Sequence, residues 1–144
     1  MARPDPSGFP SVKAVIIGDR ATGPDLEAAL RAEGLEPSFP EPVTGGSADS
    51  EIAGLAAELL AIEGVLGADR PAAVVLTEAS DRALAGALAA TKLLIPVAVA
   101  GIDGSERGEA ELLARLADHS LSSEPGEIAA WVRSASRASA SGRS

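Results

Sequence analysis

A chain of 144 residues fits one domain with a sizeable core, and its 46% of hydrophobic residues are almost all aliphatic, with Phe9, Phe39 and Trp131 the only aromatics. A formal charge of -9, from 21 acidic and 12 basic residues, speaks against a nucleic-acid partner, because such proteins neutralise phosphates with Lys and Arg. The lack of cysteine excludes disulfides, thiolate nucleophiles and thiolate metal sites, and no apolar run reaches the length of a transmembrane helix.

Residues 1–10 hold three prolines and a glycine and read as a flexible lead-in without the apolar stretch of a secretory signal. A cytoplasmic location is the resulting expectation. Val12 to Ile17 is a short apolar run of the kind buried on both faces of a parallel sheet. The loop Gly18-Asp19-Arg20-Ala21-Thr22-Gly23 follows. A helix is predicted over Leu26 to Glu33, with Thr22 as N-cap, Pro24 in the lead turn and Gly34 as terminator. Leu35 to Phe39 reads as a poor strand, cut off by Pro40 and Pro42, and 41–47 as a loop rich in Gly and Pro.

From about Asp49 to Gly67 the period is helical, with Ile52, Leu55, Leu59, Ile62 and Leu66 forming one apolar face. Core packing is the simpler account of that face, and a partner chain the other. Arg70 to Gly101 then reads as one parallel β-α-β unit: a strand at Ala73 to Thr77, a helix at Ser80 to Leu94 and a strand at Pro96 to Gly101. Ala85, Gly86, Ala87, Ala89 and Ala90 give that helix a face of very small residues, suited to a close approach to the sheet. A helix over Glu106 to Asp118, an edge strand at His119 to Ser122 and a final helix from Pro125 follow, the last docked by Ile128, Trp131 and Val132. The ending SASRASASGRS has no large apolar residue, so 135–144 is expected to be a disordered tail.

Alternating strands and helices imply a single Rossmann-like, three-layer α/β/α domain over 11–134, with about five parallel strands in a doubly wound sheet. The expected order puts strand 12–17 centrally, 35–39 on one side, and 72–77, 96–101 and 119–122 on the other. The order then reverses between 12–17 and 72–77. A ligand crevice is expected between the loops after those two strands.

The first of these loops offers Gly18, Asp19, Arg20, Thr22 and Gly23 at the start of a helix, where backbone N–H groups favour an anion and Arg20 can grip a phosphate. It is neither a GxGxxG fingerprint nor a Walker loop, and a plain turn with a solvated Arg is the alternative. The second offers Glu78, Ser80 and Asp81, which suit acid–base work or sugar hydroxyls, but suit helix capping equally well. Asp103 carries the same double reading. No EF-hand, HExxH or GxSxG motif occurs, so neither a metal nor another cofactor is expected. His119, the only histidine, has no nucleophile near it in sequence.

Over residues 47–133 the chain resembles the amino-terminal half of the UDP-N-acetylglucosamine 2-epimerases, which share a two-domain architecture with GT-B glycosyltransferases. A long helix leads to Arg70-Pro71-Ala72-Ala73-Val74-Val75-Leu76, then come Leu84-Ala85-Gly86-Ala87-Leu88-Ala89-Ala90, Ile95-Pro96-Val97 and Leu116-Ala117-Asp118, in the family's order and spacing. Gly18 and Arg20 are similar to the family's Gly-Thr-Arg-Pro-Glu loop. The catalytic motifs depart from it. Glu78-Ala79-Ser80 stands in the slots of Gly-Asp-Thr, Gly101-Ile102-Asp103 in those of Glu-Ala-Gly, and 106–111 lacks the Asn of Glu-Glu-x-Asn-Arg.

The resemblance therefore implies an epimerase-like half-domain without activity of its own. It is expected to bind a nucleotide sugar or sugar phosphate, or to pair with a complementary half-domain protein that completes the cleft. A divergent enzyme working as a homo-oligomer, with Arg20 on phosphate and Glu78 or Asp103 as proton acceptor, is the second reading. A non-catalytic interaction domain is the third. Each lost acid–base group typically costs ~10²-fold or more in rate, which favours the first over the second.

Overall fold

Strand and helix alternate along the whole computed structural model, which describes residues 12–18, 24–40, 51–102 and 108–142. The elements are β1 (Val12–Ile17), α1 (Pro24–Ala32), β2 (Leu35–Ser38), α2 (Glu51–Asp69), β3 (Ala73–Leu76), α3 (Asp81–Lys92), β4 (Val97–Ala100), α4 (Glu109–Leu116), β5 (His119–Leu121) and α5 (Pro125–Gly142). All strand pairs are parallel and the order is β2-β1-β3-β4-β5, as the alternation predicts. β1 and β3 pair from Ala14 with Ala73 to Ile17 with Leu76, so their carboxyl ends are level.

The period-two alternation of strand side chains divides the interior into two cores. Val15, Ile17, Val74, Leu76, Val97 and Val99 face α2, α3 and α4, where Ile62, Leu66 and Leu113 are buried. Ala14, Ile16, Val75 and Ala100 face α1 and α5, where Leu26, Leu30, Ile128 and Val132 close the other side. β1, β3 and β4 are therefore buried on both faces, which explains their unbroken apolar runs. Pro37 is tolerated because β2 is an edge strand, where a missing N–H faces no neighbour.

α3 packs closely on the sheet at Gly86. A Cβ on Gly86 would lie 2.3 Å from Ile17 Cδ1 and 3.5 Å from Leu76 Cδ2. The small-residue face expected from sequence is thus a seat for the large side chains of β1 and β3.

The structure departs from the sequence reading in two places. Ile52, assigned to the apolar face of the second helix, is 73% exposed, whereas Ile62 and Leu66 are buried and Leu55 and Leu59 pack beside them. Ile52 stands in the first turn at the edge of that stripe, where the 3.6-residue period has rotated it away from the sheet. The second concerns the ending: α5 continues to Gly142, through most of the segment expected to be disordered. Ala, Arg and Ser carry a small helical penalty, and extending a formed helix avoids the cost of nucleation.

Candidate ligand-binding site

The strand order reverses between β1 and β3, since β2 lies outside one and β4 outside the other. Loops leaving adjacent strands in opposite directions open a crevice at their carboxyl ends. Gly18 is the first residue past β1, and a Cβ there would lie 1.7 Å from Thr77 Oγ1. Thr77 in turn donates its backbone N–H to the Ile17 carbonyl at 3.0 Å, with its hydroxyl 3.5 Å from the same oxygen. Glycine at 18 is thus required by the close approach of the two strand ends.

On the β3 side, Glu78 is half-buried and has no hydrogen-bond or ion-pair partner among the described residues. Ser80 is the N-cap of α3: its backbone is extended and its Oγ accepts from the Ala83 N–H at 3.2 Å. The hydroxyl hydrogen of Ser80 remains available to donate. Asp81 occupies the first turn of α3, exposed, where a carboxylate complements the helix dipole. Asp19, Arg20, Thr22, Gly23 and Asp103 lie outside the described residues, as does the N-cap assignment of Thr22. His119 is not brought to this crevice. It opens the edge strand β5, exposed, with its ring edge-on to Trp131 at 5.9 Å.

Two further residues hold the scaffold in roles the sequence did not reveal, one beside this site and one at the opposite, amino-terminal end of the sheet. Arg82, in the first turn of α3, donates to the carbonyl of Pro40 and lies 3.3 Å from a Glu58 carboxylate oxygen of α2. It thereby ties the element after β3 to the segment after β2, the strands on either side of β1. Its Nε is buried without a hydrogen-bond partner, so the Glu58 contact is an ion pair off the N–H axis. The only sequence signal was a cation in a first helical turn, where acids are favoured. Asp118, at the Leu116-Ala117-Asp118 step, accepts the Val97 N–H on Oδ2 at 2.9 Å and donates its own N–H to the Val97 carbonyl at 2.7 Å. It pins the start of β4, a role that no motif spacing announces.

Among the described residues no three His, Asp or Glu side chains are grouped to hold a metal ion, and no helix is long and apolar enough to cross a membrane. Among the described residues, Gly18 and Glu78, whose carboxylate has no partner there, lie at the level carboxyl ends of β1 and β3. Such a place suits a polar ligand with an anionic group directed at the backbone N–H groups of a helix start.

The sequence matches no protein-family model and no curated protein. The fold does match solved structures. The UDP-GlcNAc 2-epimerase of Methanocaldococcus jannaschii is similar at a TM-score of 0.62 and 22% identity, over 76% of this chain and 38% of that one. A second structure of that enzyme, in complex with UDP-GlcNAc and UDP, gives 0.57 and 22% over 73% and 38%. The S. aureus MnaA–UDP co-structure gives 0.61 and 21% over 85% and 40%. The resemblance read over residues 47–133 is thus matched by the fold, a Rossmann-like α/β sheet. The chain spans about two-fifths of the length of these structures.

Proposed function

We propose that the chain is an epimerase-like half-domain that binds a nucleotide sugar or a sugar phosphate in the crevice after β1 and β3, and that it does not epimerise by itself. The observation that carries this reading is the β1–β3 switch point, on a fold shared with proteins solved with UDP-GlcNAc and UDP. Gly18 keeps the crevice floor free of side chain. Arg20 and the backbone N–H groups of the following turn supply the phosphate grip, Ser80 a hydroxyl donor, and Glu78 an acceptor for sugar hydroxyls.

Inactivity rests on the motif positions of the family's acid–base groups, which hold other residues here. A separate protein supplying the second wall completes the site in this reading, in the cytoplasm.

The test is isothermal titration of the purified chain with UDP, UDP-GlcNAc, other nucleotide sugars and sugar phosphates. Saturable binding is expected, weakened at least tenfold by Arg20→Ala with the melting temperature unchanged. A flat response to every one of these compounds overturns the reading.

A further inference from the structure

Two helices end at one cavity on the amino-terminal side of the sheet, the length of β3 away from the crevice. The turn from α2 into β3 and the turn from α3 into β4 bound about 140 Å³ there. Leu66, Pro71, Leu93, Ile95 and Pro96 give it apolar walls, and Arg70 is the one charged residue that lines it.

Both turns carry the same irregularity. Helices commonly place glycine at the left-handed position just past their carboxyl end. α2 places Arg70 there, at φ 48°, and α3 places Leu94, at φ 61°. Among the described residues no other non-glycine residue has a positive φ, and both of these line the same cavity. Glycine at either point would relieve the strain, so keeping a large side chain at both speaks for a use of those side chains.

Electrostatics narrow the choice of ligand. Arg31, Arg82, Arg115 and Arg133 each meet a carboxylate. The exposed Arg70 has no ion-pair partner among the described residues, in a chain of net charge -9, and its neighbour Asp69 is taken by Lys13 at 3.6 Å. Arg70 therefore favours an anion. The negative ends of the α2 and α3 dipoles favour a cation at the same place. The last turn of α2 holds no basic residue to balance its dipole, and Lys92 of α3 does not line the cavity. Pro71 and Pro96 sharpen the preference. They stand four residues after Gly67 and Lys92, and proline has no N–H to offer those carbonyls. No other described backbone N–H donates to either one. A lone anion would face two helix carboxyl ends, and a lone cation would face Arg70. A ligand bearing both charges close together satisfies both.

We infer that this cavity binds a free α-amino acid with a short branched aliphatic side chain. Its carboxylate meets Arg70, its ammonium the helix carboxyl ends and its side chain the apolar walls. A free α-amino acid carries both charges on one carbon, whereas a peptide terminus carries only one of them. A cavity of about 150 Å³ admits a molecule as large as benzene, which leaves room for the side chain of leucine or isoleucine but not for that of tryptophan. With one exposed charge pair and one small side chain, a dissociation constant on the order of 0.1–1 mM is expected.

Isothermal titration of the purified chain with L-leucine tests the inference. Saturable binding in that range is expected. Isocaproate, which lacks the ammonium, isoamylamine, which lacks the carboxylate, and glycine, which lacks the side chain, should each bind at least tenfold more weakly. Arg70→Gly should weaken leucine binding at least fivefold while the melting temperature holds or rises, because position 70 is exposed and the substitution relieves the left-handed backbone. Arg70→Gln, which keeps a polar side chain and loses its charge, should weaken binding to the same extent. A flat titration with leucine to ten times that range, isocaproate or isoamylamine binding as tightly as leucine, or Arg70 variants that bind like the parent would each overturn the inference. None of these outcomes depends on whether a nucleotide sugar binds in the crevice.

Discussion

Gly86→Ala sets helix propensity against packing at the seat of α3 on the sheet. In an open helix the change gains about 1 kcal/mol. Here the new Cβ would stand 2.3 Å from Ile17 Cδ1, and Ile17 is fully buried, so its side chain has no free space to move into. Overpacking of this kind costs about 1–3 kcal/mol, which leaves Gly86→Ala neutral to about 2 kcal/mol destabilising. Ile17→Val removes the clashing methyl and alone costs about 0.5–1.5 kcal/mol. In the double variant the alanine methyl occupies the vacated space while the propensity gain remains, and the net change should fall near zero. The coupling between the two sites is then about 1–3 kcal/mol. Urea denaturation of the four proteins, with unchanged slopes, measures it. A stabilising Gly86→Ala, or a double variant equal to the sum of the singles, would refute the claim that the Ile17 methyl dictates glycine at 86.

Asp118→Ala leaves the N–H of Val97, a residue 1% exposed, without its acceptor and should cost about 1–3 kcal/mol in the same assay; Asp118→Asn keeps an acceptor oxygen and should recover most of the loss. Leu94→Gly should stabilise by about 0.5–1 kcal/mol although it deletes a leucine, because relief of the left-handed backbone outweighs the added freedom of the unfolded chain. An unchanged or lowered denaturation midpoint for Leu94→Gly would show that the φ of 61° is not strained in this turn.

The sheet order was legible because it follows from local patterns. Short aliphatic runs separated by helical periods admit few parallel arrangements, and the turn at Gly34 and the small face around Gly86 each pointed to the right neighbour. Residues whose role is set by distant partners were not legible. Asp118 acts on Val97, 21 positions away, and Arg82 on Pro40, 42 positions away. Periodicity carries no information about either pair. The position of the crevice could be inferred from topology, since strand order alone defines a switch point. The availability of its side chains could not, because a Ser in a first helical turn reads the same whether it caps or binds.

The described groups at the crevice divide into those the fold has used and those it has left free. Ser80 Oγ already accepts from the Ala83 N–H, and Arg82 is committed to Glu58 and Pro40. Withdrawing either for a ligand would expose a buried polar group, at a cost of about 1–3 kcal/mol that binding would have to exceed. Glu78 carries no such commitment. Its carboxylate sits half-buried after the strand that faces Gly18, so a ligand's hydroxyl or amide N–H can reach it without breaking an existing bond. Under the proposed function, recognition at this end of the sheet would fall to Glu78, to the Ser80 hydroxyl as donor and to the residues following Gly18.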